Sequence, residues 1–205
     1  FSAKGYGEEN PIADNGTVTV PAGTPAGIYD IVYELCAESD ATLCDSATAT
    51  VVGSAAPIAA ANDDFSGTPI VGVTGGSAGS VLGNDTLGGS AVATDGSATV
   101  LTISDEDCLT GVTIADDGTI SVPAATPIGT YTIQYLLCEE LNPTNCATAT
   151  ATVVVTAPAI DATDDSFAGT PVDGFAGGTV GSVLANDQMA GSGVATDGSQ
   201  TTLSV

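Results

Sequence analysis

The sequence predicts an all-β protein built from tandem copies of one module. Three observations predict it. The chain repeats itself at a constant offset of 102 residues, as between Cys36 and Cys138 or between Asp85 and Asp187. Short runs of alternating polar and apolar residues are separated by Gly, Pro and Asp-Gly turns, which is the pattern of half-buried strands. No helical periodicity competes with these runs, and the period is that of a whole domain rather than of a short solenoid repeat.

Two segments rich in Pro and Ala, around Pro57 and Pro158, lack a strand pattern and predict linkers. We therefore expect the C-terminal part of one module at 1–57, a complete module at 58–158 and the N-terminal part of the next module at 159–205. Such an organisation fits a segment of a longer array. Alternatively, the two partial modules, which together make about one period, complete each other between chains and build a polymer.

The complete module contains seven strand candidates. They lie near 65–73, 79–83, 98–104, 112–115, 119–122, 129–138 and 146–155. Seven short strands in about 100 residues predict an immunoglobulin-like seven-stranded β-sandwich. Asp116-Asp117-Gly118 has the composition of a tight hairpin turn between the fourth and fifth strands. Tyr131 opens the sixth strand, and we expect its hydroxyl to bond back to the preceding loop.

The cysteines predict covalent braces. Cys36 and Cys44 fall at the end of the sixth strand and the start of the seventh in the first copy, and Cys138 and Cys146 repeat this spacing. Two strands joined by a short loop bring such cysteines face to face, so we expect a hairpin disulfide in each copy. Disulfides indicate an oxidising, extracellular setting. A metal-thiolate site is the weaker alternative, because zinc sites use closer spacings and more ligands.

Cys108 is the fifth cysteine and has no equivalent one period away, where Tyr6 stands. It is either a buried thiol or a link to another chain, and the sequence does not decide between the two.

Charge excludes several function classes. The chain has 25 acidic residues and one basic residue, Lys4, for a net charge of -24. Binding to nucleic acid or to anionic membranes depends on Lys and Arg, so neither partner is expected. No apolar run reaches the length of a membrane span, which excludes membrane insertion within these 205 residues.

The residue types also argue against catalysis. The chain has no His and no Arg, so serine or cysteine triads, phosphate clamps and histidine metal centres are excluded. Paired carboxylates remain, but a small sandwich module offers no cleft for the glycoside hydrolysis they could perform. We predict a protein that is not an enzyme.

Calcium is the predicted cofactor. In an up-and-down sandwich, the loops that carry most carboxylates meet at the pole beside the preceding linker, where a hard cation could find six to eight oxygen ligands. Asp residues also favour turns without any metal, which is the alternative explanation. The candidate ligands are Asp63, Asp64, Asp85, Asp116 and Asp117, with Asp165 and Asp187 as the equivalents of Asp63 and Asp85 in the next copy.

Several motifs, in order and in register, resemble a known family. They are Asp63-Asp64, Gly67-Thr68-Pro69, Ser80 to Thr86, Asp117 to Pro123, Gly129 to Tyr135, and the loop from Cys138 to Cys146. Together they resemble the repeats of about 100 residues in giant secreted adhesins of the Bacteroidota, including those that gliding cells move along their surface. The Asn84-Asp85 segment is also similar to cadherin-like bacterial repeats in which calcium stiffens the array.

The resemblance implies a structural repeat of a long extracellular adhesin or surface filament, which acts as a stiff stalk for attachment or gliding at the cell surface. Implied partners are neighbouring modules, surface polysaccharide and other copies in a filament. A carbohydrate-binding module is the main alternative, although sugar recognition uses exposed aromatic residues and only 4% of this chain is aromatic. An accessory domain of an enzyme is a further alternative. The length of the parent chain and its ligand are not encoded in these residues.

Overall fold

The computed structural model describes residues 11–197 and 199–205. Its first regular element is a long antiparallel hairpin of β1 (Gly27–Ala37) and β2 (Asp40–Gly53). Cys36 lies opposite Cys44 in this pairing, and the two form the predicted disulfide. No helix among the described residues is long and apolar enough to cross a membrane.

Eleven strands lie between residues 58 and 156. One 3-10 helix, Val81–Asn84, directly follows the strand that ends at Ser80. The strands are β3 (Ile58–Ala59), β4 (Asp63–Asp64), β5 (Ile70–Val71), β6 (Gly76–Ser80), β7 (Thr86–Leu87), β8 (Ser90–Ala91), β9 (Thr99–Asp105), β10 (Thr113–Ile114), β11 (Thr119–Val122), β12 (Gly129–Glu139) and β13 (Cys146–Thr156).

These strands form a sandwich. One sheet has the order β4, β13, β12, β9, with β5 also paired to β13, and a second sheet has the order β10, β11, β6. A third, small sheet joins β3, β7 and β8. Alternate residues of β12 and β13 point inward, so that Ile133, Tyr135, Leu137, Ala151 and Val153 are fully buried in one core. The predicted all-β sandwich is confirmed, and we refer to residues 58–156 as the central sandwich.

The first predicted strand, 65–73, differs from the structure. Within that range the structure has one two-residue strand, β5, whereas β4 lies just before the range, and both strands run parallel to β13. A turn separates them, because Asp64 accepts a bond from the amide of Ser66 and Thr68 donates its amide to the carbonyl of Phe65. The second candidate, 79–83, ends as a strand at Ser80 and continues as the 3-10 helix. β3, β7 and β8 were not predicted, since two residues are too few to show alternation.

The long hairpin of β12 and β13 repeats that of β1 and β2. Cys138 lies opposite Cys146, and the second predicted disulfide joins them. The Tyr131 hydroxyl donates to the carbonyl of Pro127 at 2.8 Å, which confirms the predicted corner. Tyr29 makes the same bond to Pro25 at 2.7 Å in the first copy.

The C-terminal segment, residues 159–205, repeats the start of the central sandwich. It contains a small sheet of β14 (Ile160–Asp161), β15 (Gln188–Met189) and β16 (Ser192–Gly193). An aromatic ring packs directly against a glycine at the same place in both copies. A side chain on Gly79 would lie 2.6 Å from the ring of Phe65, and one on Gly181 would lie 2.5 Å from the ring of Phe167. The module boundaries at 57/58 and 158/159 stay a prediction.

Candidate functional site

A buried tyrosine, a buried aspartate and a half-buried aspartate form a polar cluster in the central sandwich. The Tyr135 hydroxyl lies 3.0 Å from Oδ2 of Asp85, 3.1 Å from Oδ2 of Asp63 and 3.0 Å from the carbonyl oxygen of Ala61. A hydroxyl has one hydrogen to donate, so it satisfies one of these three acceptors at a time. We call these three side chains, Tyr135, Asp63 and Asp85, the Tyr-Asp cluster.

Three separate elements position the Tyr-Asp cluster. Tyr135 is on the inward face of β12 and is fully buried, whereas Asp63 belongs to β4. Asp85 follows the 3-10 helix, is 1% exposed, and accepts a bond of 2.8 Å from the amide of Ala61 through Oδ1. The cluster therefore connects β4 and the residue after the 3-10 helix to β12, an inner strand of the sheet.

Burial dominates the electrostatics of the cluster. The pKa of Asp63 is raised to about 6, mainly by removal from water and also by the nearby charge of Asp85, against the opposing hydrogen bonds from Tyr135 and Asn84. Burial also raises the pKa of Asp85. The pKa of the Tyr135 hydroxyl is raised by burial and by both carboxylates. When protonated, Asp63 can donate a hydrogen bond to one of the acceptor oxygens that surround the Tyr135 hydroxyl.

The other acidic residues predicted as ligands have local partners instead. Asp64 and Asp117 each cap a turn, with bonds of 2.9 Å from the amides of Ser66 and Thr119. The pKa of Asp64 is lowered by hydrogen bonds from the Ser66 side chain and then its amide, and the pKa of Asp117 is lowered by bonds from the Thr119 amide and then its side chain. Asp116 is exposed in the turn between β10 and β11. The structure thus brings Asp63 and Asp85 together and places the remaining three in turns.

The C-terminal segment preserves half of the cluster. Asp187 accepts a bond of 2.8 Å from the amide of Thr163, as Asp85 does from Ala61. Asp165, the equivalent of Asp63, is exposed.

A calcium site would need more oxygen ligands than the Tyr-Asp cluster supplies. Among the described residues, one group of three Cys or acidic side chains is close enough to share an ion, and it consists of Glu34, Cys36 and Cys44. Its two cysteines are bonded to each other, which removes the thiolates a metal requires. Calcium at Asp63, Asp64, Asp85, Asp116 and Asp117, or at Asp165 and Asp187, stays a prediction.

The loop closed by the second disulfide contacts the chain that precedes the central sandwich. Oδ1 of Asn142 accepts a bond of 2.7 Å from the amide of Ala26, just before β1. Nδ2 of Asn145 donates to the carbonyl of Ala56, in the predicted linker, and to Oε2 of the buried Glu139, both at 2.7 Å. The disulfide Cys138–Cys146 joins the two ends of this loop, which contacts both Ala26 and Ala56.

The sequence did not single out these junction asparagines or Tyr135. The asparagines lack repeat equivalents, since Asp40 and Leu43 stand one period before them. Tyr135 repeats as Tyr33 and could have been found from that match and its inward register. Cys108 is exposed, so the interpretation as a buried thiol is wrong, and its backbone has a φ of 66° within an irregular turn.

The similarity of this chain to known proteins is found in structure and not in sequence. No protein-family model matches the chain, and no curated protein matches it in sequence. Among solved structures, it is similar to protocadherin gammaB7 EC3-6 in its cis-dimer structure, with 13% identity and a TM-score of 0.35. That match covers 78% of this chain and 42% of the protocadherin chain, so this chain spans about two fifths of that protein.

Proposed function

We propose that this chain is a non-enzymatic structural part of an extracellular adhesion-type protein in which sandwich modules follow one another in tandem. The observation that carries the proposal is the repeated hairpin. The same strand pair, with its disulfide between facing cysteines, occurs at β1–β2 and again at β12–β13. Disulfides at equivalent places in successive copies support an oxidising location.

The contacts of Asn142 and Asn145 with the preceding chain support a stiff array of modules rather than a flexibly linked one. Asn142 and Asn145 bond to backbone groups of the preceding hairpin and linker, and a disulfide restrains the loop that carries them. A loop that is restrained at its base loses little further entropy when it makes such contacts. Stiffness is the property that a stalk needs in order to hold a binding domain away from a surface.

The finer form of the proposal is a stalk repeat of a giant adhesin exposed at the cell surface and used for attachment or gliding. The ordered motifs described above support it. The chain's surface supports it as well, because a net charge of -24 resists aggregation, and Lys4 is the one site at which trypsin could cut.

Small-angle scattering on arrays with one, two and three copies of residues 58–158 tests the stalk. Strands of 11 residues span about 36 Å, so each added module should lengthen the particle by about 40 Å. The matched variant Asn142→Ala should make the three-module array more flexible without unfolding any module. Compact or fully flexible wild-type arrays would contradict the proposal.

Calcium is tested on the same arrays. If a cation binds the predicted carboxylates, thermal unfolding and scattering should show a higher melting temperature and a longer particle in calcium than in excess chelator at equal ionic strength. Asp85→Asn should abolish such a response, and Asp95→Asn, which changes an exposed turn residue, should not. Identical curves in both buffers would rule the calcium site out.

A further inference from the structure

The disulfide of the β1–β2 hairpin has an acidic neighbour that the disulfide of the β12–β13 hairpin lacks. Glu34 lies two residues before Cys36 on β1, and alternate residues of a strand share one face. One carboxylate oxygen of Glu34 and the Sγ atoms of Cys36 and Cys44 all lie within 4.8 Å of one another. Three atoms of two kinds that bind metals, sulfur and carboxylate oxygen, are therefore close together on this hairpin.

The equivalent place on the second hairpin has only the two sulfurs. The register is the same in both hairpins, because Glu34 pairs with Ser46 as Leu136 pairs with Thr148. Leu136 stands one period after Glu34 and has no atom that binds a metal. The chain thus contains the same disulfide twice, once with a carboxylate beside it and once without.

This face of the hairpin is open to solvent. Glu34, Cys36 and Cys44 are all exposed. The central sandwich shows that packing a core onto the other face leaves this one accessible, because Cys146 is exposed there and Leu136 is half-buried. An ion from solution can therefore reach the three side chains whether or not the rest of a module covers the hairpin.

The oxidation state of the cysteines decides whether the two sulfurs can bind a metal. In the disulfide they are bonded to each other, and the thiolate is the form of cysteine that binds metals. A dithiol reductant supplies two electrons and two protons, so that the Sγ–Sγ bond breaks, two thiols form and the dithiol becomes a disulfide. A divalent cation that binds both sulfurs then releases the two thiol protons to water.

The kinds of ligand select the class of cation. Thiolate sulfur and carboxylate oxygen are both ligands of Zn²⁺, which is usually bound by four ligands in a tetrahedron and can keep one position for water. Calcium binds about six to eight oxygen ligands, so a site with two sulfurs does not suit it. The net charge of -24 also attracts cations to the surface of the chain.

We propose that the β1–β2 hairpin is a redox-gated site for Zn²⁺ or another divalent cation that binds thiolates. In the reduced chain, the thiolates of Cys36 and Cys44 and the carboxylate of Glu34 bind the ion, and water completes its coordination. Exchange with an oxidised dithiol restores the protein disulfide and releases the ion. The β12–β13 hairpin, with Leu136 in place of the carboxylate, offers two ligands and binds such ions far more weakly. The site does not depend on the stalk proposed above.

Titration of the reduced 205-residue chain with Cd²⁺ tests the site. Each sample carries Cys108→Ser, which removes the free thiol, and is reduced under nitrogen with a phosphine that is then removed. The ultraviolet charge-transfer absorption of cadmium bound to thiolate measures binding, and the end point of the titration gives the number of ions. The same chain before reduction is the control and should show no such absorption.

Two reciprocal substitutions compare the hairpins. The reduced parent chain should bind one Cd²⁺ tightly. Glu34→Leu gives the first hairpin the residue of the second and changes an exposed side chain. It should lower the affinity at least about 100-fold, because the loss of a group that only orients a ligand already costs about 10- to 100-fold. Leu136→Glu gives the second hairpin the residue of the first and should add a second tightly bound ion, in strands that a core packs together.

The proposal is wrong if the reduced parent chain binds no Cd²⁺, or binds two ions with equal affinity, because then the carboxylate adds nothing to the sulfurs. It is equally wrong if the chain with intact disulfides shows the cadmium-thiolate absorption. A Glu34→Leu variant that binds as tightly as its parent, or a Leu136→Glu variant that gains no second ion, would also overturn it.

Discussion

The two long hairpins differ in their surroundings far more than in their sequences. β1–β2 and β12–β13 share the pairing register, the tyrosine corner and a disulfide between facing cysteines. Within residues 11–197, β12–β13 is packed in a sandwich, where Leu137 and Tyr135 are fully buried, while Leu35 and Tyr33 on β1 are exposed. The comparison teaches that pairing, corner and disulfide are encoded locally, whereas burial and the Tyr-Asp cluster require strands distant in sequence.

The largest expected difference between the hairpins is in core packing. Leu137→Ala should lower the free energy of unfolding of the central sandwich by about 3 kcal/mol, because it leaves a cavity in a buried site. Leu35→Ala should change it by less than about 0.5 kcal/mol, because Leu35 is exposed in the single chain. Denaturant unfolding at a concentration where the chain is a monomer measures both. Equal losses would mean that the hairpins are equally buried.

The next largest expected difference is in how much each disulfide contributes to the stability of the central sandwich. Replacing Cys138 and Cys146 by Ala should lower the stability of the central sandwich by about 2.5 kcal/mol, since the bond closes a ring of about nine residues in the unfolded chain. The same replacement of Cys36 and Cys44 should leave the unfolding of the central sandwich unchanged. Thermal melts of the two double variants decide the matter, and a loss from the Cys36 and Cys44 pair would link the first hairpin to the central core.

The tyrosine hydroxyls sharpen the comparison further. Tyr135→Phe should cost about 1.5 kcal/mol, because it leaves buried carboxylate oxygens without their donor. Tyr33→Phe should leave the stability of the monomer unchanged, since the Tyr33 hydroxyl donates to no carboxylate among the described residues. Denaturant midpoints with unchanged slopes would measure the two effects. A neutral Tyr135→Phe would show that another donor satisfies Asp85.

A further effect is a dependence on pH. The pKa of Asp63 in the folded chain is about 6, above its ordinary value of 3.8, so folding binds a proton between these two values. The contribution of Asp63 to stability is therefore complete below about pH 4 and is lost as the pH rises through 6. Asp63→Asn should flatten the fall in melting temperature between pH 4 and pH 7, measured in chelator.

Asp64→Asn is the control for this pH effect. Asp64 is exposed and its turn bonds lower its pKa, so it titrates outside that window. A slope that Asp63→Asn leaves intact, or that Asp64→Asn removes, would contradict the assignment.

The sequence predicted the elements that alternate clearly over many residues. The strand at 119–122 and those near 98–104, 129–138 and 146–155 are present within a residue or two. The first strand was predicted as continuous over 65–73, although Gly67 and Pro69 within it are turn-forming residues. β3, β7 and β8 have two residues each and leave no period to detect.

The candidate site was predicted less well than the fold. Acidic residues could be placed at one end of the module from topology, but their partners could not. Whether Asp117 caps a turn or faces a neighbour depends on a backbone amide two residues away. Tyr135 joins Asp63 and Asp85 across 72 and 50 residues of sequence, and contacts over such separations leave no local pattern.

Hydrogen exchange on the 205-residue chain, at a concentration where it is a monomer, tests the central claim most directly. The claim is that local sequence forms the hairpin and that the other half of a module stabilises it. Amides of β12 should then exchange at least about 100-fold more slowly than those of β1, since they open only with the whole sandwich. Equal protection of the two strands would show that the hairpin is stable by itself and would contradict the account.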